Sequence, residues 1–344
     1  MKAAVIYEVG APLEIQEMPD PTLGPDDAVI RVEACGICRS DWHLWQGDLK
    51  AQLPLVPGHE FAGVVAAVGQ DVKGFRTGDR VTLPFHLACG HCEHCYTGHS
   101  NLCGAGAIGF AMNGGYAQLA RVPNADVNLI RLPEGVDFVT AASLGCRYMT
   151  AYHGVVDRAQ VRPGEWVAVF GAGGVGLSAV QIASAIGARV IAVDISDEKL
   201  AVAKGEGAEL TVNAASGSAH QAIKELTGGG ANVSIDALGS AKTAVPGVLS
   251  LKKGGRHLQI GLTGKEDKGS IALPVDAMTL QELSFIGSMG CPISSYKGLL
   301  SLVETRRLKP RELVTRTVAL NQVNEVLTAM SDFKTVGFNV ITAF

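Results

Sequence analysis

The sequence is short of aromatics and of charge. Phe, Trp and Tyr make up 6% of 344 residues, and Asp, Glu, Lys and Arg make up 18%. The formal net charge is -4. That leaves no basic field to hold nucleic acid, so no such partner is expected. No uncharged apolar run reaches the ~18 residues of a membrane-spanning helix, and no membrane association is expected. The opening Met1-Lys2-Ala3-Ala4-Val5-Ile6-Tyr7-Glu8 meets an acid before a long apolar core forms, so it does not read as a secretion signal. No collagen-like period, low-complexity tract or internal repeat is present.

Glycine is abundant, at 42 residues. Without a repeat to absorb them, these glycines must serve turns and close backbone approaches. The chain is too long for one ordinary core, so two domains are expected. Eight cysteines with metal-like spacings and no export signal point to reduced thiolates in a cytoplasm.

From residue 1 to about 145 the segments are short and β-like. Ala28–Val32, Gly63–Val68 and Asp79–Leu83 are each bounded by Gly, Pro or Asp. They predict a β-rich domain with long loops. From about 150 to 289 the rhythm becomes strand, turn, helix. Trp166–Phe170, Arg189–Asp194, Leu210–Asn213, Asn232–Asp236, Arg256–Gly261 and Leu283–Gly287 are predicted strands. Val175–Ile186, Asp197–Gly205 and Lys242–Leu251 are predicted helices between them. Six strands alternating with helices imply an α/β fold with a doubly wound parallel sheet. A helix near Asn321–Phe333 and a strand Val336–Thr342 close the chain. That tail is too short for a third domain and is expected to complete the first. The expected domains are therefore 1–148 with 290–344, and 149–289.

Cys38 and His59 pair a thiolate with an imidazole, a combination that suits zinc. Taken alone, a buried cysteine and a core histidine are the commoner reading. Cys89, Cys92, Cys95 and Cys103 follow C-x2-C-x2-C-x7-C. Four thiolates on a tight loop fit a closed tetrahedral zinc, which is structural because no ligand position stays open. Disulfides, an iron–sulfur cluster or a nucleic-acid zinc ribbon are the alternatives. The flanks carry no basic–aromatic stripe. His86, His91, His94 and His99 read as surface histidines. Gly171-Ala172-Gly173-Gly174-Val175-Gly176 matches G-x-G-x-x-G between a strand and a helix. That context lets the backbone approach a pyrophosphate at a helix N-terminus. Asp194 ends the next strand, where a carboxylate accepts from ribose hydroxyls and repels a 2′-phosphate, favouring NAD over NADP. Lys199 could reach the same ribose. The competing reading of Asp194 is a helix N-cap, and that of Lys199 a solvated charge.

In this order, Cys38-Arg39-Ser40-Asp41 with His43, Gly58-His59-Glu60, the four-cysteine lobe, Cys146, the Gly171–Gly176 turn and Asp194 carry a resemblance. The chain resembles the zinc-containing alcohol dehydrogenases of the medium-chain dehydrogenase/reductase family over nearly its whole length. The resemblance implies a GroES-like catalytic domain, a Rossmann coenzyme domain and an active site in the cleft between them. It implies two zinc ions per chain, with the catalytic one on Cys38, His59 and Cys146, and Glu60 just behind it. It implies that Asp41 fixes His59. The reaction implied is reversible hydride transfer between an alcohol and NAD. Ser40, the nicotinamide ribose and His43 would carry the alcohol proton out, and Arg39 would bind pyrophosphate. Trp42, Leu49, Phe85 and Met289 would wall a pocket for medium-sized or aromatic alcohols. Relatives of this length are usually homotetramers. One departure is Phe338, which stands where many relatives carry a phosphate-contacting arginine. Within the family a polyol or threonine-type dehydrogenase is the alternative, and a zinc-free quinone reductase is disfavoured by the complete ligand set. Outside it, the alternative is a non-catalytic NAD-binding zinc protein.

Overall fold

The structure is a computed structural model and describes residues 1–344 except Lys265 and Phe333. The chain divides into two compact units, Met1–Met149 with Gly290–Phe344, and Thr150–Met289. The first break falls one residue beyond the expected 148.

The first unit is built on a seven-stranded sheet. Its order is Val314–Ala319, Phe338–Ala343, Ala28–Ile37, Glu60–Val68, Arg80–Thr82, Ile130–Arg131, with Leu119–Val122 also pairing Ala28–Ile37. Two strands from the end of the chain therefore complete a sheet begun at its start. Ala28–Ile37 runs five residues beyond the expected Val32. Its last residues pair on both sides: Gly36 lies opposite Glu60, and Cys35 opposite Ile341. The sequence Ala34-Cys35-Gly36-Ile37 alternates poorly because it is buried on both faces, so period-two patterning misses it. The expected tail helix resolves into a short 3₁₀ turn, Leu320–Gln322, and the helix Val323–Ser331; position 333 lies outside the described residues.

The second unit is a six-stranded sheet in the order Leu210–Asn213, Arg189–Asp194, Trp166–Phe170, Ala231–Asp236, Leu251–Gln259, Ser284–Gly287. Every neighbouring pair is parallel. The order reverses at Trp166–Phe170, the switch point of a doubly wound sheet. The fifth strand starts at Leu251, not at the expected Arg256, and stops at Gln259, two residues short of Gly261. Lys252-Lys253-Gly254-Gly255, which lie between the predicted helix and strand, form a bulge within the strand. The register jumps from Leu251 opposite Ala231 to Arg256 opposite Val233, with Gly254 at φ +70°. One face of the sheet buries Phe170, Ile191, Val193 and Val212 against Ile223 of the helix Ala219–Thr227. Each such side chain contributes about 1.5–3 kcal/mol by leaving water.

Candidate metal centres and dinucleotide turn

Sheet register brings Cys38 and His59 together. Cys38 follows the strand Ala28–Ile37 and caps the helix Arg39–Trp45. His59 precedes the antiparallel strand Glu60–Val68. Because Gly36 pairs with Glu60, the two donors emerge from neighbouring strands at the same edge. Cys146 arrives on a widened helical turn, Leu144–Tyr148, which bends at Gly145 (φ -46°, ψ -119°). A Cβ on Gly145 would strike the Glu60 side chain, so only glycine lets this turn approach the strand. One donor atom each from Cys38, His59, Glu60 and Cys146 lies within 4.8 Å of the other three.

Asp41 orients the imidazole. Its Oδ1 accepts from His59 Nδ1 at 2.9 Å and from the Gly58 N–H at 3.3 Å. Its Oδ2 accepts from the Cys38 N–H and the Tyr116 hydroxyl, both at 2.9 Å. With Nδ1 so engaged, His59 Nε2 is buried and has no hydrogen-bond partner. A buried, unpartnered ring nitrogen is costly unless it serves a ligand. Here it faces two sulfurs, so the donor set fits zinc. The Cys38 thiol is pulled well down, first by the Cys146 thiol and then by the His59 ring. Burial opposes charge on His59, but Asp41 and the Cys38 sulfur outweigh it and raise the ring. Thiolate character at the donor sulfur is what a metal requires.

The four-cysteine lobe passes a geometric test. Four sulfurs about 2.3 Å from one metal, at tetrahedral angles, lie about 3.8 Å apart. Cys92 Sγ is 3.6 Å from Cys95 Sγ and 3.7 Å from Cys103 Sγ, and Cys89 Sγ is 4.0 Å from Cys95 Sγ. Those separations are far beyond a disulfide's ~2.05 Å. They are also tighter than an iron–sulfur cluster, which spreads its thiolates over several irons. The Cys89 thiol is pulled down to about 6, first by the His91 backbone N–H. His91, His94 and His99 are exposed. His86 corrects the surface reading: its ring centroid is 4.4 Å from that of Phe85, its Nε2 is buried, and burial pushes its pKa down to about 4.

In the second unit the glycine turn leaves Trp166–Phe170 and opens the helix Gly174–Ile186. Gly171 has φ +92°, and a Cβ on Gly176 would collide with the Gly171 carbonyl oxygen. Gly173 caps the helix with nothing within 4 Å of where a Cβ would sit. Gly174, Val175 and Gly176 present first-turn amides, which have no carbonyl one turn earlier to bond. Asp194 ends its strand. Its Oδ2 accepts from the Ala172 N–H at 2.7 Å, and its Oδ1 from the Ile195 and Ser196 N–H groups at 2.8 and 3.0 Å. The N-cap of the next helix is Ser196, not Asp194. Lys199 is half-buried in that helix.

The remaining expected residues are placed as follows. Ser40 Oγ lies 3.7 Å from Cys38 Sγ and 4.0 Å from Cys146 Sγ. His43 Nδ1 meets Asp48 Oδ2 at 2.8 Å. The Phe85 ring meets His59 edge-on at 5.5 Å, and Leu49 is half-buried. Arg39 stacks 3.8 Å over Trp42 and donates to the Met330 carbonyl, while Trp42 Nε1 donates to Ser331 Oγ at 2.8 Å. Met289 belongs to the second unit and is 43% exposed. Tyr116 and Arg147 went unnoticed in the sequence. Their carboxylate partners lie 75 and 87 residues away, and no local pattern links them.

Comparison with known proteins agrees with these features. Residues 24–134 match the Alcohol dehydrogenase GroES-like domain family, and residues 174–305 match the Zinc-binding dehydrogenase family. An alcohol dehydrogenase from Geobacillus stearothermophilus is 36% identical, covering 97% of this chain and 96% of its own. An NAD-dependent alcohol dehydrogenase from Sulfurisphaera tokodaii is 36% identical over 99% of both chains. A sorbitol dehydrogenase from Halalkalibacterium halodurans is 31% identical over 94% of both. Among solved structures, an alcohol dehydrogenase from Thermus sp. ATN1 superposes with a TM-score of 0.93 at 30% identity, covering 100% of both chains. A GroES-like unit and a Rossmann unit with metal-type donor clusters define a zinc-binding dehydrogenase. The chain belongs to the zinc-containing alcohol dehydrogenases of the medium-chain dehydrogenase/reductase family.

Proposed function

We propose that the protein is an NAD-dependent alcohol dehydrogenase that interconverts alcohols with aldehydes or ketones. Cys38, His59 and Cys146 hold a catalytic zinc, and Cys89, Cys92, Cys95 and Cys103 hold a structural one. The observation that carries the reading is His59: Nδ1 is fixed by Asp41, and Nε2 is buried beside two thiols with no partner. When bound, zinc supplies Lewis acidity, which lowers the pKa of a coordinated hydroxyl and polarises a carbonyl.

The chain's own residues do the rest. Ser40 Oγ, beside both sulfurs, accepts the hydroxyl proton as it releases its own, which is relayed to His43. Asp48 engages His43 Nδ1, which leaves Nε2 to deliver that proton to solvent. Phe85 excludes water next to His59, and Trp42 and Leu49 extend an apolar wall. In the coenzyme unit the Gly171–Gly176 turn takes the pyrophosphate, and Asp194 and Lys199 take the adenosine ribose; Arg39, in the first unit, is the expected phosphate-binding arginine. A homotetramer in the cytoplasm is the expected setting.

The sorbitol dehydrogenase likeness keeps a polyol substrate as the second reading. The test is absorbance at 340 nm with NAD and benzyl alcohol or sorbitol, with and without a chelator. Chelator-sensitive NADH formation from benzyl alcohol supports the proposal. Turnover of sorbitol alone favours the polyol reading. NAD binding without any turnover favours a non-catalytic role.

A further inference from the structure

Arg147 is a buried cation one residue after a sulfur donor, 4% exposed. Its backbone N–H and Nε both donate to Glu60 Oε1 at 3.0 Å, and its Nη2 donates to Oε2. Both oxygens of that carboxylate are thus engaged by one residue. The guanidinium lies 3.9 Å over the ring of Phe338, which is itself fully buried. The arrangement is tight: a Cβ on Gly36 would strike the Glu60 carboxylate and crowd the Arg147 guanidinium.

Glu60 is nevertheless within reach of the donor cluster, since one of its oxygens lies within 4.8 Å of the donors on Cys38, His59 and Cys146. Carboxylate oxygens bind zinc well, at about 2.0–2.2 Å. A fourth protein donor would turn an open centre into a closed one, as in structural sites. Something must therefore keep Glu60 away.

We propose that Arg147 is a positioning residue that latches Glu60 off the metal, so that the donor set stays at three and one position is kept for substrate. The inference rests on the reading of Cys38, His59 and Cys146 as a zinc site. Charge supports it. A zinc ion and the guanidinium together balance two thiolates and the Glu60 carboxylate. Without the guanidinium, Glu60 is a buried anion with no paired cation, a costly state. The metal is then the nearest cation, and the carboxylate turns onto it. Phe338 serves as the floor that keeps the guanidinium in plane with its partner.

The test uses the full-length protein with cobalt(II) in place of zinc. Cobalt's visible d–d bands move when one donor is exchanged for another, so they report what surrounds the metal. Difference spectra against wild type cancel the four-cysteine lobe. Arg147→Met removes the charge and keeps the bulk. It is expected to shift the bands, to hold cobalt at least as tightly as wild type, and to lose kcat/KM. Glu60→Gln combined with Arg147→Met is expected to restore the wild-type spectrum. A merely structural arginine would instead loosen the metal and leave the band shape of the bound fraction alone. A folded Arg147→Met with the wild-type spectrum overturns the latch. Should that variant not accumulate, Arg147→Gln carries the test, because the amide removes the charge and keeps a hydrogen-bond donor. A partial shift supports the latch, and no shift overturns it. The underlying zinc assignment fails separately, if Cys146→Ser and wild type give the same cobalt spectrum.

Discussion

The two donor clusters of the first unit are built in opposite ways. The lobe takes four cysteines from one stretch, Cys89 to Cys103. Three of them are only half-buried, and their sulfurs meet one another and the Cys89 N–H. The Cys38 cluster draws its donors from three segments. Behind them stand Asp41, Tyr116 and Arg147, each bonded to a donor or to the carboxylate beside it. A local cluster needs its metal to hold a loop that buries little. A dispersed cluster is held by the fold before any metal arrives, so its geometry is preorganised for chemistry. The lobe therefore reads as scaffold and the dispersed cluster as reaction centre.

Four substitutions break or sharpen that contrast. The largest effect on turnover is expected from Cys146→Ser. Alcohol oxidation should fall by roughly a thousandfold or more, since the Lewis acid is worth several kcal/mol. Metal analysis should find one zinc per chain lost and one kept, with the thermal midpoint little changed. Cys95→Ser should invert that pattern. The midpoint should drop by on the order of 10 °C, and limited proteolysis should open residues 89–103, with activity following the folded fraction. Asp41→Asn should weaken metal binding by about 10- to 100-fold, measured by chelator competition, because the His59 ring loses its anionic partner. The smallest effect is expected from His43→Gln. Oxidation near neutral pH should slow by roughly tenfold and recover at high pH, where hydroxide replaces the relay. An unchanged pH profile would remove His43 from the proton path.

The same contrast explains what could be read from the sequence. The lobe was visible because its four donors share one stretch with a zinc-like spacing. The glycine turn was visible because Trp166–Phe170 precedes it and the helix Gly174–Ile186 follows it directly. Both signals are local. Cys146 carried no such signal and entered only through family resemblance, because a bent turn and strand register bring it to Cys38. Tyr116 and Arg147 were invisible for the same reason: their partners are set by folding, not by spacing. Elements were misjudged where backbone pairing overrides side-chain pattern, as in the extension of Ala28–Ile37 and the bulge after Leu251. His86 looked like one more surface histidine near the lobe. Its backbone pairs with Ala107 and its ring lies close to Gly290, neighbours that the sequence does not place beside it.

Stepwise removal of zinc, with metal content and NADH formation followed on the same sample, tests the division of labour most directly. The account predicts that activity disappears in proportion to one of two zinc ions, while the second remains bound and the fold persists. Full activity after the first ion has left, or activity that tracks only the lobe's ion, would contradict it.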